Sequence, residues 1–257
     1  MQSVGILGVG ELTEKVVRGL RRSGFEGAIY LSPRNEERAT RLVDECQCRF
    51  ATSNQAVVDS AEWLLLGVRP EVLPSLAREV TLKPGQQLVS LAAGVDLAAL
   101  ADYFPQAHCT RAMLSYASQI NQSTVVVCPP HANSERLLGP LGNLVVLEQE
   151  ADFELATVAA CMNGWFYFLL HDLQQWLTDK GLPADKAREL VLGNLQDCLA
   201  SARNQPEQKL NELGQQIATP GTFTASGLDV LNHQHSSEAW SAASQVVLDA
   251  LLSNKPR

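Results

Sequence analysis

Short apolar runs rich in β-branched residues alternate with helix-patterned segments along the first 150 residues of this chain. SVGILGV precedes a helical pattern from Leu12 to Arg22, and GAIYLS precedes another from Asn35 to Cys46. The runs EWLLLGV, QQLVSLA, STVVV and NLVVL continue the series, with helical patterns from Pro70 to Val80 and near Asp96 to Tyr103. Parallel strands need crossover helices, so this order predicts an α/β domain with a doubly wound parallel sheet over residues 1–150.

The strand signal stops after Glu150, and helical patterns follow to the end of the sequence. They run over 151–180, 183–203 and 207–218, with two more on either side of His233. This predicts a second, all-helical domain over residues 151–257. The four aromatic residues from Trp165 to Phe168 cannot all face one core from a single helix, so we expect a homodimer or a higher homo-oligomer.

Charge and composition exclude several classes of partner. Twenty basic and 28 acidic residues give a net charge of −8, which repels phosphate backbones, so no nucleic-acid partner is expected. No apolar run approaches the roughly 20 residues that span a bilayer, and SVGILGVG lacks the pattern of a secretion leader. We therefore expect a cytoplasmic protein with no membrane association. The six cysteines are scattered and are expected to be reduced thiols, with no metal site.

A glycine turn lies where the first predicted strand passes into the first helix. GVGELT, from Gly8 to Thr13, is a near match to GxGxxG, in which glycines let the backbone approach a pyrophosphate at a helix N-terminus. The match predicts a dinucleotide-binding (Rossmann) domain. Thr13 replaces the third small residue, and Glu11 places a carboxylate in the first turn, where it also suits the helix dipole as an exposed residue. The residues of this turn predicted to hold the cofactor are Gly8, Val9, Gly10, Glu11 and Leu12.

The end of the second predicted strand bears on the choice of cofactor. A site for NAD usually has a carboxylate there, which holds the ribose hydroxyls. This strand ends Tyr30-Leu31-Ser32-Pro33-Arg34 without an acid. Ser32 and Arg34 suit the 2′-phosphate of NADP, so NADP(H) is the predicted cofactor. In the alternative interpretation Ser32 caps a helix that begins at Pro33, and Arg34 is merely exposed.

The second domain favours reduction of an imine over oxidation of an alcohol. Oxidation of an alcohol needs a base beside the nicotinamide, and the long predicted helix has no lysine before Lys180, while His171 stands alone on it. A C=N nitrogen takes its proton more easily, so hydride delivery and positioning can suffice. The segment from Thr219 to Thr224 opens a helix with free N–H groups and hydroxyls, and either binds a carboxylate or is an ordinary capped helix start.

An ordered series of segments resembles the pyrroline-5-carboxylate reductase family along nearly the whole chain. The series comprises GILGVGELTEKVVRGL, SPRNEER, LLLGVRPEVL, LVSLAAGV, the RAM tripeptide from Arg111 to Met113, KGLP and TPGTFTASGLDVL. The resemblance implies NADPH-dependent reduction of a cyclic imine carboxylate, with 1-pyrroline-5-carboxylate converted to L-proline. It also implies a dimer of intertwined helical domains, in which each active site joins the nucleotide domain of one subunit to the threonine turn of another.

The resemblance also implies roles for particular residues. The Thr224 hydroxyl would be the catalytic group that reaches the imine nitrogen. Two further turns would line the cofactor, namely Val68, Arg69 and Pro70 in one and Ala92, Ala93 and Gly94 in the other. The residues implied to bind the substrate carboxylate are Pro220, Gly221, Thr222, Phe223 and Thr224.

Three segments depart from the family pattern. Leu114-Ser115-Tyr116-Ala117 replaces a proline-asparagine-threonine-proline run, a glycine-serine-rich turn appears as Ala159 to Trp165, and a double glycine appears as Gly221-Thr222. The bulky residues that would change the pocket are Tyr116, Met162, Trp165 and Phe223. Two alternatives therefore stay open: a related imine reductase with another substrate, and a nucleotide-binding regulatory homologue without turnover.

Overall fold

An eight-stranded sheet organises the first part of the chain, in a computed structural model that describes residues 3–253. The strands are β1 (Val4–Leu7), β2 (Ile29–Leu31), β3 (Arg49–Phe50), β4 (Trp63–Leu66), β5 (Gln87–Ser90), β6 (His108–Met113), β7 (Ser123–Cys128) and β8 (Gly142–Val146). The helices that cover the sheet are α1 (Glu11–Arg22), α2 (Glu36–Cys46), α3 (Asn54–Ser60), α4 (Leu73–Glu79), α5 (Leu97–Tyr103) and α6 (Ala132–Leu138).

The strand order is β3-β2-β1-β4-β5-β6-β7-β8, as in a doubly wound domain. The predicted fold class is confirmed, with one correction to the expected parallel sheet: β6 and β7 pair antiparallel. Only a short segment with a 3₁₀ turn (Tyr116–Ile120) joins these two strands, and without a crossover helix the chain must reverse direction.

Four elements of the sheet domain escaped the sequence analysis: β3, α3, β6 and α6. The strand β3 has two exposed residues, so it shows no apolar run. The strand β6 reads HCTRAM and looks polar, yet Thr110 and Arg111 are buried in it. Thr110 accepts from the Ser134 hydroxyl and Arg111 forms ion pairs with Glu150 and Glu154, and periodicity does not reveal such tertiary partners.

The central strands are buried on both faces. All four residues of β1 and all four of β4 are buried, as expected for parallel strands covered by helices on each side. Two core clusters result, one under α1 and α2 and the other under α3, α4 and α5.

The long helix α7 (Ala151–Asp179) begins in the sheet domain. The first compact unit comprises residues 1–160 with 248–257, and the second runs from Cys161 to Val247. The predicted boundary at 150/151 therefore differs from the division in the structure. The reason is that the first turn of α7 buries Phe153 against β7 and pairs Glu154 with Arg111 of β6.

The second unit is helical, as predicted from the sequence. It contains the rest of α7, α8 (Ala184–Asn204), α9 (Leu210–Ile217), α10 (Phe223–His233) and most of α11 (Ser236–Ser253). By length and composition alone, α7 is the one helix within 3–253 that could cross a bilayer, with a mean hydropathy of 1.3. The search for unbroken apolar runs in the sequence missed this feature.

Candidate functional site

The carboxyl ends of four neighbouring parallel strands meet at one edge of the sheet. Leu7 of β1 is level with Leu66 of β4, which is level with Ser90 of β5, and β2 lies on the other side of β1. The turns that follow these strands therefore share that edge, where open α/β sheets bind their ligands.

The glycine turn after β1 has the shape that a dinucleotide needs. Gly8 has a φ of +96°, and a Cβ there would lie 2.6 Å from Cγ1 of Val68. The Thr13 hydroxyl donates to the Gly8 carbonyl at 2.9 Å and accepts from the Gly10 N–H at 2.8 Å. A Cβ on Gly67 would lie 2.1 Å from Cγ2 of Thr13. Because Gly67 has no side chain, α1 packs closely against the turn after β4 and still leaves room for the Thr13 side chain.

The start of α1 offers unpaired N–H groups toward this turn. The amides of Glu11 and Leu12 have no carbonyl within the helix to bond, as at any helix N-terminus. Val9 is buried and Glu11 is exposed.

Burial raises the pKa of the Tyr116 hydroxyl, and so do the charge of Glu11 and a hydrogen bond with it. Glu11, which departs from the glycine motif, therefore lies near Tyr116, which departs from the family pattern.

The segment after β2 decides between the two interpretations of Ser32. The Gly8 N–H donates to Ser32 Oγ at 3.0 Å, and Ser32 is 1% exposed. The cap of α2 is Asn35, whose side chain accepts from the Arg38 N–H at 3.2 Å. The alternative in which Ser32 caps that helix is therefore wrong. Arg34 is exposed and forms no ion pair with any residue in 3–253, so it is available to an anion.

A cavity of about 450 Å³ opens at this edge of the sheet. It is lined by Gly8, Ser32, Pro33, Arg34, Asn54, Val68, Val72, Ser75, Leu76 and Glu79. Four residues predicted to bind the cofactor, Gly8, Ser32, Arg34 and Val68, are brought together here. Of the others, Arg69, Pro70 and Ala93 are exposed at the same edge, whereas Ala92 is buried. The residues are compatible with an adenosine phosphate, since the cavity combines an apolar wall with a free guanidinium.

The sequence analysis missed Asn54 and Glu79. Asn54 begins α3, whose cap is Ser53, with its side chain accepting from the Ala56 N–H at 3.0 Å. The Ser-Asn pair was a readable helix-start signal. It went unused because the preceding strand β3 was not recognised.

A buried carboxylate holds α2, and with it the segment that carries Arg34. Glu14 of α1 accepts from Arg18 at 3.0 Å and from Arg38 of α2. Burial alone would raise the pKa of Glu14, but the hydrogen bonds from the two arginines outweigh it and lower the pKa below its usual value. The carboxylate therefore stays charged at neutral pH and ties the two helices together.

Arg111 performs a similar task at the loop after β5. Its side chain is 1% exposed and donates to Glu150 at 3.1 Å and to Glu154 at 3.0 Å. Its guanidinium lies 4.0 Å from the centroid of the Phe153 ring. Glu150 also accepts from the Leu97 N–H at 2.6 Å. The ion pairs thus anchor the start of α5, directly after the predicted cofactor turn that ends at Gly94.

The threonine turn of the second unit runs from Thr219 to Thr224. Its two hydroxyls that are predicted to contact the substrate, those of Thr222 and Thr224, differ in their hydrogen-bond partners. Thr222 is the cap of α10: its hydroxyl accepts from the Ala225 N–H at 3.2 Å and donates to the Thr219 carbonyl at 2.8 Å. Gly221 has a φ of +86°. Thr224 is exposed, and its hydroxyl forms no hydrogen bond with any residue in the described part of the chain. Its hydroxyl is therefore free for a ligand, because the capping role belongs to Thr222.

Two of the bulky residues predicted to reshape the pocket have distinct surroundings. Trp165 packs against Trp240 within the helical unit, with ring centroids 6.0 Å apart. Phe223, in the threonine turn, is 98% exposed. The Phe223 side chain is therefore open to a ligand or a second subunit, whereas Trp165 is half-buried.

Comparison with known proteins gives two family matches that together cover most of the chain. A family model described as NADP oxidoreductase, coenzyme F420-dependent, matches residues 3–94. A second, described as pyrroline-5-carboxylate reductase dimerisation, matches residues 150–250.

Individual relatives match over nearly their full length. The pyrroline-5-carboxylate reductase of Pseudomonas aeruginosa is 26% identical, covering 94% of this chain and 94% of the relative. The structure of 1-pyrroline-5-carboxylate reductase from Streptococcus pyogenes is 25% identical, with a TM-score of 0.85 and 98% of each chain covered. The Plasmodium falciparum pyrroline carboxylate reductase with NADP bound shares the fold, with a TM-score of 0.84, 15% identity and 100% of each chain covered. Because the two family models match residues 3–94 and 150–250 and these reductases match nearly the whole chain, this chain belongs to the pyrroline-5-carboxylate reductase family.

Proposed function

We propose that this protein reduces 1-pyrroline-5-carboxylate to L-proline with NADPH. The observation that carries the proposal is the cavity at the sheet edge, where the glycine turn, Ser32 and an unpaired Arg34 meet and the end of β2 carries no acid. A carboxylate there would hold a ribose diol, whereas a free guanidinium suits a 2′-phosphate.

The chain's own groups divide the remaining work. The amides at the start of α1 bind the pyrophosphate, and Arg34 binds the 2′-phosphate. When bound, the cofactor supplies a hydride to the carbon of the C=N bond. The turn from Pro220 to Thr224 holds the substrate carboxylate at the start of α10, and the free Thr224 hydroxyl donates to the imine nitrogen.

The match to a dimerisation family supports homo-oligomerisation. The finer proposal is a dimer, or a multiple of it, in which the helical units of two subunits cover one another. In that assembly α7 is buried by protein. The proposed location of the enzyme is the cytoplasm, where it acts without a membrane or nucleic-acid partner. The threonine turn then completes the active site of another subunit.

The test is a titration of the purified protein with NADPH, followed by addition of pyrroline-5-carboxylate while absorbance at the NADPH band is recorded. Saturable binding and substrate-dependent loss of NADPH are expected. Binding without turnover would favour a regulatory homologue, and absence of binding would contradict the cofactor assignment.

One observation favours a second candidate, a reductase of the same chemistry with a different cyclic imine. Phe223 stands fully exposed within the turn proposed to hold the substrate. Comparing kcat/KM for pyrroline-5-carboxylate with that for the six-membered homologue distinguishes the two candidates. A higher kcat/KM for the six-membered imine would make that imine the proposed substrate.

A further inference from the structure

The lining of the cofactor cavity includes a carboxylate, at the C-terminal end of α4. Glu79 lines the cavity and accepts from Nδ2 of Asn54 at 2.7 Å through its Oε2. Its other oxygen, Oε1, has no hydrogen-bond partner among residues 3–253. An acidic group is unexpected in a cavity that is proposed to take a phosphate.

The wall of the cavity separates this carboxylate from the phosphate end. Val72, Ser75, Leu76 and Glu79 recur at intervals of three and four residues, which places them on one face of the segment formed by a 3₁₀ turn (Pro70–Val72) and α4. Val68, which touches the glycine turn, lies just before the start of this face. The seven steps from Val72 to Glu79 span about 10 Å of helix. The wall is therefore apolar near the glycine turn and ends in a hydrogen-bond acceptor.

Glu79 and Arg34 line the same cavity but form no ion pair with each other. Each charge is thus available to a different part of one ligand. Arg34 suits the 2′-phosphate, and the apolar wall suits the face of an aromatic base. An acceptor at the end of that wall selects a base that carries a donor at its edge. Adenine has such a donor in its exocyclic amino group.

We propose that Glu79, oriented by Asn54, accepts a hydrogen bond from the exocyclic amino group of the adenine ring and so makes this site selective for adenine dinucleotides. This inference rests on the proposed function, because it assumes that NADPH occupies the cavity. A base with a carbonyl in place of the amino group, such as hypoxanthine, sets an acceptor against the Glu79 carboxylate. Neither acceptor then has a donor, so that base binds more weakly.

The experiment compares NADPH with its hypoxanthine analogue, deamino-NADPH, by equilibrium binding followed through cofactor fluorescence. The wild-type protein is expected to bind NADPH about tenfold more tightly than the analogue. In Glu79→Gln the ratio falls to within about twofold, because a carboxamide can accept from the amino group or donate to the carbonyl. Glu71→Gln is the matched control: Glu71 is exposed, lies in the same stretch and does not line the cavity, so the wild-type ratio is expected.

Two outcomes overturn the inference. The first is a wild-type ratio near one, and the second is an unchanged ratio in Glu79→Gln. If the unchanged ratio is accompanied by a higher preference for NADPH over NADH, the carboxylate is assigned to repulsion of the 2′-phosphate. In both outcomes NADPH still binds, so the proposed cofactor survives. A wild-type protein that binds neither nucleotide contradicts both the inference and the proposed function.

Discussion

At the scale of single residues, the hydroxyl groups of the candidate site fall into two classes. Ser32, Thr13 and Thr222 each accept from a backbone N–H and so hold the turns in shape. Thr224 is exposed and has no such bond within the described residues. A hydroxyl that serves the backbone contributes stability, whereas a free one near a ligand contributes to binding or turnover.

Arg34→Ala is expected to weaken NADPH binding about tenfold or more and to change NADH binding by less than about twofold. In the proposed complex the guanidinium contacts only the 2′-phosphate, and a hydrogen-bonded charge pair is worth about 1.5–3 kcal/mol. Equilibrium titration with both cofactors measures the effect. Arg41→Ala, an exposed arginine on α2, is the control for loss of one positive charge. Equal losses of affinity for NADPH and NADH in Arg34→Ala would contradict the assignment of NADP as the cofactor.

Thr224→Ala is expected to lower kcat about 100-fold, as removal of one positioned donor does, with a change in stability within about 0.5 kcal/mol. Thr222→Ala should behave differently, losing about 1 kcal/mol of stability with the cap. Paired kinetics and thermal melting of the two variants separate the roles. Unchanged kcat/KM in Thr224→Ala would show that the hydroxyl takes no part in the reaction.

At the scale of elements, the site depends on a close contact between α1 and the turn after β4. Thr13 occupies the position where dinucleotide-binding turns usually have a small residue, and Gly67 supplies the missing space. The hydroxyl of Thr13 then holds both Gly8 and Gly10. The departure in the glycine motif is therefore compensated by a residue on another strand's turn.

Gly67→Ala is expected to destabilise the protein by about 1–3 kcal/mol, because its Cβ overlaps the Thr13 methyl group. Adding Thr13→Ser removes that methyl and keeps the hydroxyl, so the double variant should recover part of the loss. Urea unfolding of the two single variants and the double variant gives the coupling free energy. Strict additivity would show that the contact is not the cause.

Gly10→Ala provides the contrast within the same turn. A Cβ there would have no atom closer than 3.9 Å, so stability should change by less than about 0.5 kcal/mol. The same Cβ enters the space where the pyrophosphate approaches, and NADPH affinity should fall about tenfold or more. Thermal melting together with NADPH titration checks both parts. A destabilised variant with normal affinity would contradict this role for Gly10.

At the scale of the whole molecule, the helical unit leaves most of its apolar surface uncovered. Within Cys161–Val247, only one of the described residues, Ala187, is buried. Tyr167 is 69% exposed, Phe168 72% and Trp176 60%. A surface of this kind is typical of an obligate interface.

The protein is therefore expected to remain a dimer, or a multiple of it, on dilution, and its Tm should rise with protein concentration. Phe168→Glu should dissociate the assembly, because a carboxylate in an apolar interface loses its hydration. Phe50→Glu, an exposed phenylalanine on β3 in the other unit, is the control. Light scattering and activity on diluted samples are the measurements. A stable, active monomer would refute the expectation.

The sequence by itself determined the doubly wound α/β domain, the helical domain and the family, because these depend on local patterns. Apolar runs of strand length, helical periodicity and glycine at strand-to-helix turns are all readable within a few residues. The same local patterns placed Gly8, Ser32 and Arg34 in turns at strand ends, and the family resemblance added Val68. Parallel strands bring such ends to one edge.

Only the tertiary structure decided the partners of individual polar groups. The sequence could not show that Ser32 accepts from the Gly8 amide or that Arg111 lies buried between Glu150 and Glu154. Nor could it show that Asn54 and Glu79 are hydrogen-bonded to each other in the wall of the cavity. Each of these pairs joins residues more than twenty positions apart. A buried or cavity-lining polar group is defined by the groups that satisfy it, and that pairing arises only when distant elements pack.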